Sequence, residues 1–167
     1  RTAFTLALKE DNWKCDVVDV EAAFLNPILD NTIYLEWPEG IVELGFITEK
    51  ERVIYCIKLV CSMYGNIDAA MQWMKLFTKC VTNDMKNALI QSKVDPCMFY
   101  SKDMNQIVKL VVIIYVDDMI ICDHDNDVTR FKKEFEVFFK VTDMGQLRKH
   151  LGFWYDWKID AKGPYLE

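Results

Sequence analysis

The sequence runs to 167 residues, 51% of them apolar and 28% charged, a balance that fits one folded domain with a real core and excludes a disordered chain. Its longest pure apolar run, residues 110–116, is too short to span a bilayer, and no early stretch resembles a signal peptide, so no membrane partner is expected. The net charge of −6 argues by itself against a stand-alone nucleic-acid binder, because phosphate neutralisation supplies much of the affinity of such proteins.

The first residue is Arg1, and nothing near Glu167 reads as a natural end, so the chain is expected to be a segment of something longer. Six cysteines stand at positions 15, 56, 61, 80, 97 and 122 with no Cys-x-x-Cys pair and only two His, which disfavours a zinc site. Most sit in apolar contexts and read as reduced core residues, which points to an intracellular compartment.

In chain order, residues 2–9 read as a short helix, 13–20 as a strand with Val18 and Val20 on one face, and 32–37 as a second strand ended by Pro38-Glu39-Gly40. Residues 40–52 read as a loop and 53–60 as an apolar strand. Residues 66–87 form an amphipathic helix pattern, with Ile67, Ala70, Met71, Met74, Phe77, Val81 and Met85 recurring at three- and four-residue steps. Residues 97–101 read as a short strand, and 107–116 and 119–122 as two apolar strands around one Asp-Asp pair. Residues 127–140 read as a helix with Val128, Phe131, Phe135 and Phe138 as its stripe, capped by Asp125 or Asp127. Residues 152–159 read as a last strand. The order α-β-β-β-α-β-β-β-α-β suits an α+β fold, an antiparallel sheet with helices packed on one face.

The segment 107–122 carries the most chemistry. Two apolar strands separated by two residues make a hairpin pattern, yet Asp-Asp is not the Asn-Gly or Asp-Gly pair that such turns prefer. Two like charges about 4 Å apart repel by roughly 4 kcal/mol at an effective dielectric near 20. A divalent cation converts that repulsion into coordination. Asp19 stands in a matching setting, after Asp16-Val17-Val18 and before Val20-Glu21-Ala22-Ala23-Phe24. If the two strands pair, Asp19 meets Asp117 across the sheet, and carboxylates from neighbouring strands can hold two Mg²⁺. A lone Asp-Asp is more often a solvated turn. The two contexts together are more specific than either alone.

These residues resemble the reverse transcriptase of copia-type long-terminal-repeat retrotransposons, over nearly the whole chain and in the same order. Val18-Asp19-Val20-Glu21-Ala22-Ala23-Phe24-Leu25-Asn26 resembles the first catalytic motif, and Ile33-Tyr34-Leu35-Glu36-Trp37-Pro38-Glu39-Gly40 the strand and turn after it. Ser62-Met63-Tyr64-Gly65 and Gln72-Trp73 resemble the segment that contacts template and nucleotide. Asp95-Pro96-Cys97-Met98-Phe99 is typical of these elements, Tyr115-Val116-Asp117-Asp118 resembles the catalytic box, and Asp143-Met144-Gly145 and Leu151-Gly152 the later motifs.

The resemblance implies a polymerase palm with incomplete fingers and no thumb, in one domain over residues 1–167. It implies an RNA-directed DNA polymerase that moves a nucleotide from a dNTP to a primer 3′-hydroxyl using two Mg²⁺, with Mn²⁺ as the alternative ion. Asp19, Asp117 and Asp118 would be catalytic and metal-binding, with the Val20 carbonyl completing a metal shell. Ala22 and Ala23 would offer N–H groups to the triphosphate. Phe24 would lie under the sugar and exclude a 2′-hydroxyl, although a core aromatic after a turn explains it equally well. Tyr64 and Gly65 would line the nucleotide and template side. Tyr115, Leu151 and Gly152 would lie near nucleic acid, although a plain strand start also explains Leu151-Gly152. The implied partners are an RNA template, a DNA primer, dNTP, and the flanking fingers, thumb and RNase H regions of a parent polyprotein, with a cytoplasmic virus-like particle as the implied location.

The sequence departs from the family at one place. Many relatives read Tyr-Gly-Leu-Lys-Gln-Ala-Pro-Arg-Gln-Trp where this chain has Tyr64-Gly65-Asn66-Ile67-Asp68-Ala69-Ala70-Met71-Gln72-Trp73, losing two basic residues and the Pro. Helix packing gives Ile67, Ala70 and Met71 a structural explanation. Lys132, Lys133, Arg148 and Lys149 are candidate phosphate contacts, each also readable as a solvated face, and Lys140 and Lys149 are candidates to protonate pyrophosphate. Two other readings stand beside the polymerase. One is an inactive retrotransposon-derived relic acting as a nucleic-acid or protein binding module. The other is a two-metal nuclease or phosphatase, to which the Phe24 spacing gives no support.

Overall fold

In a computed structural model the structure describes residues 13–123, 127–160 and 163–166; the helix expected at 2–9 and the capping candidate Asp125 lie outside the described residues. The chain divides into two compact units, one of Arg1–Ala23 with Met74–Glu167 and one of Phe24–Trp73. The architecture is α+β with antiparallel strand pairing throughout the described residues.

The larger unit holds a six-stranded sheet. Its strands are β1 (Lys14–Val20), β4 (Ile90–Gln91), β5 (Met98–Lys102), β6 (Val108–Tyr115), β7 (Asp118–Asp123) and β8 (Val141–Gln146), in the order β4-β5-β6-β7-β1-β8. The runs 107–116 and 119–122 are continuous in apolar residues because β6 and β7 are buried on both faces, as interior strands are. Successive residues point to opposite faces, so the register sorts them. Phe99, Val112 and Ile121 align across three strands and are fully buried, as are Ile114 and Met119 beside them. Phe77 meets Phe99 edge-on at 5.3 Å and Phe135 at 5.7 Å, so two helices deliver aromatics to this face. The opposite face carries Cys15, Val17, Val111, Ile120 and Cys122, buried with Trp13 and Leu147.

Those helices are α2 (Ala69–Lys79), which runs into a π-turn at Cys80–Asp84, and α3 (Asp127–Phe135). The buried stripe of α2 is Ala69, Trp73 and Phe77, continued by Cys80, Val81 and Met85. This corrects the expected stripe. Ile67 precedes the helix and is 101% exposed, and Ala70 and Met71 also face outward, so packing does not explain them. Phe77, Val81 and Met85 are buried as expected; the difference lies at the start, because Ile67 precedes the helix and the first buried residues are Ala69 and Trp73. In α3, Val128, Phe131 and Phe135 are buried as expected, but Phe139 rather than Phe138 continues the stripe. The buried Asp123 accepts the Val128 N–H on Oδ2 at 2.9 Å, and Asp127 is the first residue of the helix.

Three further expectations are corrected. The loop at 40–52 and strand at 53–60 become α1 (Glu49–Ile54) followed by β3 (Ile57–Cys61), which pairs with β2 (Ile28–Leu35) in the smaller unit. A capping box fixes α1: Thr48 Oγ1 accepts the Glu51 N–H, and Glu51 accepts the Thr48 N–H at 2.8 Å. Cys15 and Cys122, opposed in the β1–β7 register, form a disulfide rather than two reduced core thiols, while the buried Cys80 is free. The strand expected at 152–159 divides into β10 (Phe153–Trp154), paired with β9 (Lys149–His150), and β11 (Trp157–Asp160), paired with β12 (Gly163–Leu166). No described helix is long and apolar enough to cross a membrane.

Candidate functional site

The β6–β7 hairpin turns on Val116 and Asp117, one residue earlier than the Asp-Asp break suggested, so Asp118 opens β7 as a strand residue. Val116 adopts φ +60°, a conformation that β-branched residues rarely take. Asp118 is opposed by Tyr115 on one side and by Asp19 on the other. The expected partner of Asp19 was Asp117; in the register it is Asp118, and Asp117 projects from the adjacent turn. The Asp117 carbonyl accepts the Val20 N–H at 2.8 Å, which ties the turn to the end of β1.

Strand alternation places Asp19 and Asp118 on the face of Val17 and Ile120, opposite the one that receives Phe77 and Phe135. Burial first, then the charges of Asp117, Asp118 and Glu21, push the Asp19 carboxyl above its ordinary 3.8. The like charges add to the effect of burial, and a cation would relieve that part. The donor set is entirely hard oxygen, which fits Mg²⁺. Among the described residues no three His, Cys, Asp or Glu side chains converge to enclose an ion. Mg²⁺ sites that share the ion with substrate phosphates commonly use only one or two carboxylates.

A cavity of about 330 Å³ opens beside the acids, lined by Asp19, Asp118, Thr142, Lys149, His150 and the Leu151-Gly152 turn among others. Leu151 (φ +49°) and Gly152 (φ +82°) form the tip between β9 and β10, which brings the sequence-singled Leu-Gly pair next to the acids. Tyr115 is 59% exposed beside them. His150 was missed in the sequence, where its only signal was its place before Leu-Gly. It is buried, with Nδ1 4.0 Å from Asp118 Oδ2, and burial lowers its pKa more than the Asp118 charge raises it. Glu21 was also passed over: its Oε2 lies 2.7 Å from Lys140 Nζ and its Oε1 accepts the Thr142 hydroxyl.

After β1 the chain turns through Ala22 (φ +49°) into a 3-10 turn at Ala23–Leu25, with Ala22 exposed and Ala23 buried. Phe24, Tyr64 and Gly65 belong to the smaller unit, where the Phe24 and Tyr64 rings lie 4.9 Å apart and Gly65 takes φ +94°. Of the basic candidates, Lys132 is not a free phosphate contact. It is buried, with Nζ 2.6 Å from Asp16 and 2.7 Å from Asp143. Lys149 lines the cavity and lies 5.0 Å over the Trp154 ring.

Residues 2–161 match the family model described as reverse transcriptase (RNA-dependent DNA polymerase). The chain is 29% identical over 153 residues to the retrovirus-related Pol polyprotein from transposon TNT 1-94 of Nicotiana tabacum, a match covering 91% of this chain and 11% of that protein. It is 25% identical over 81% of its length to the putative transposon Ty5-1 protein YCL074W of Saccharomyces cerevisiae, covering 41% of that protein. It is 26% identical over 90% of its length to the retrovirus-related Pol polyprotein from transposon RE2 of Arabidopsis thaliana, covering 9% of it. The chain therefore spans about a tenth of the Pol polyproteins it matches. No solved structure matches.

Proposed function

This chain belongs to the reverse transcriptase family, as the copia-type resemblance implied, and we propose that it is the palm of an RNA-directed DNA polymerase whose metal-binding acids are Asp19, Asp117 and Asp118. The single observation that carries the reading is the β1–β7 register, which sets Asp19 opposite Asp118 with Asp117 in the turn between Tyr115 and Asp118.

The substrates are an RNA template, a DNA primer and a dNTP, and the flanking regions of a polyprotein are its neighbours. Asp19 and Asp117 would hold two divalent cations, Mg²⁺ by donor chemistry, with Asp118 and the Val20 carbonyl completing the set. Bound there, the ions would supply neutralisation of triphosphate charge and activation of the primer 3′-hydroxyl. The protein's own contribution is positioning. The sheet holds the three acids on one hairpin end, so little reorganisation is needed during reaction. Ala22 and Ala23 follow β1, and their backbone would lie near the triphosphate. Phe24 packs under the sugar, and Tyr64 and Gly65 serve the nucleotide and template. Tyr115 and the Leu151-Gly152 tip take the primer side of the acid-lined cavity. Lys149, which lines that cavity, is a better placed proton donor for pyrophosphate than Lys140, which is engaged by Glu21.

Asp117→Asn or Asp19→Asn in the longer parent protein abolishes primer extension on an RNA template with Mg²⁺. Extension at an unchanged rate would overturn the assignment. The second reading, an inactive relic retained as a binding module, is favoured by one observation: Ile67 and Met71 replace basic residues of the family motif and are exposed. Template binding without extension by the unaltered parent would select it.

A further inference from the structure

The unit Phe24–Trp73 contains a cavity of about 380 Å³ formed by β2 and the segment that leads from β3 into α2. Leu29 and Ile33 give it apolar walls, the exposed Ile67 stands at its edge, and Asp30, Ser62, Asn66 and Asp68 give it polar groups. Ser62 is 1% exposed, and its hydroxyl has no hydrogen-bond partner among the described residues. Its backbone is satisfied, with the N–H donating to the Pro27 carbonyl at 2.9 Å, so the hydroxyl alone is left over. The Asn66 Nδ2 atom is likewise buried and unpartnered among the described residues. Unpaired buried polar atoms are costly, and folded proteins rarely keep them without a water, an ion or a ligand to satisfy them.

The charge of the cavity narrows the occupant. Two carboxylates line it, and none of the described lining residues is Lys or Arg. A phosphate is repelled. The occupant must bring N–H donors to a carboxylate and an acceptor to the Asn66 amide and the Ser62 hydroxyl. Guanine offers this set on one edge: the N1–H and 2-amino donors stand side by side for a carboxylate, with O6 as the adjacent acceptor. Uracil and thymine offer one imino donor there. A base already paired has this edge occupied, so the occupant is unpaired.

The sequence agrees. Where many relatives have Leu-Lys-Gln after Tyr-Gly, this chain has Asn66, Ile67 and Asp68, and all three line the cavity. The change removes a basic residue, moves the amide from the third position to the first and adds an acid.

We propose that this cavity is a nucleobase site that takes an unpaired guanine, read by Asp30 or Asp68 with Asn66 and Ser62. The inference rests on the nucleic-acid reading above for its ligand class. Calorimetric titration of the 167-residue chain with phosphate-free nucleosides tests it. Guanosine is expected to bind at least tenfold more tightly than inosine, which lacks the 2-amino group, and than thymidine. Asp30→Asn with Asp68→Asn reduces guanosine affinity at least tenfold. Ser62→Ala weakens guanosine several-fold while leaving the melting temperature of the unliganded chain equal or higher, since it removes an unpaired hydroxyl. No guanosine binding up to its solubility limit, equal affinity for the three nucleosides, or binding indifferent to the double substitution would overturn the proposal. Asp19→Asn separates the two readings. That chain should still bind guanosine, whereas its effect on primer extension bears on the polymerase reading alone.

Discussion

Val116 is a β-branched residue at φ +60°, at the first central position of a two-residue hairpin where glycine is usual. Backbone strain of this kind costs on the order of 1–3 kcal/mol, part of which glycine would return as chain entropy. Val116→Gly should therefore raise the urea midpoint by the equivalent of roughly 1 kcal/mol with an unchanged slope. A lower midpoint would show that the turn is relaxed. A second test at this scale concerns Lys132, with side-chain exposure of 9% between Asp16 and Asp143. Burial pushes the Asp143 carboxyl up, but the Lys132 ammonium and the Gly145 N–H outweigh it and hold the group below its ordinary 3.8. Burial likewise pushes Lys132 down, and its two carboxylate hydrogen bonds outweigh that and hold it above 10.5. The Asp143 contribution is thus present above about pH 4 and lost as pH falls through its lower folded value. The Lys132 contribution is present below 10.5 and lost as pH rises through its higher one. Lys132→Met should cost roughly 2 kcal/mol at neutral pH, less than a fully enclosed pair because Asp143 is half exposed, and should flatten the acid limb of the stability profile. An acid limb of unchanged slope would contradict this.

At the scale of elements, the sheet's helix-bearing face depends on Phe77. It reaches both Phe99 of β5 and Phe135 of α3. Phe77→Ala should cost about 3–5 kcal/mol by the usual penalty for emptying a buried aromatic site, measured by denaturant unfolding. Asp123→Ala should cost about 1 kcal/mol through loss of its hydrogen bond to the first turn of α3, and a change below a few tenths would show that this bond contributes little. These elements show what was legible in the sequence. The strands β1, β5, β6 and β7 could be read because burial on the sheet leaves an apolar or alternating signature. Strand β8, Val-Thr-Asp-Met-Gly-Gln, was missed because it is a polar edge strand with little buried surface. The start of the α2 stripe was misassigned because a period extended back to residue 66 takes in Ile67, which precedes the helix at Ala69. The helix α1 was hidden by its own surface. Val53 is 85% exposed, so its apolar residues resembled a strand, although the Thr48-x-x-Glu51 capping box was available to read.

At the scale of the whole molecule, the acidic balance and the nucleic-acid reading are reconciled by where the acid sits. Four acids, Asp19, Asp117, Asp118 and Glu21, cluster around one hairpin end, and burial first, then the charges of the other three, raise the Asp19 carboxyl. Asp19, Asp117 and Asp118 could be singled out because each motif is contiguous in sequence. Their register was not, since strand pairing between residues a hundred positions apart is decided by the packing of both sheet faces, and it set Asp118 rather than Asp117 opposite Asp19. His150 was invisible for the same reason: only the β9–β10 turn brings it toward Asp118. The central claim is that this register makes a cation site. Mn²⁺ titrated into the isotopically labelled 167-residue chain tests it by paramagnetic line broadening. The account predicts broadening centred on Asp19, Asp117 and Asp118 and abolished by Asp19→Asn with Asp117→Asn. Broadening centred elsewhere, or unchanged in that double variant, would contradict it.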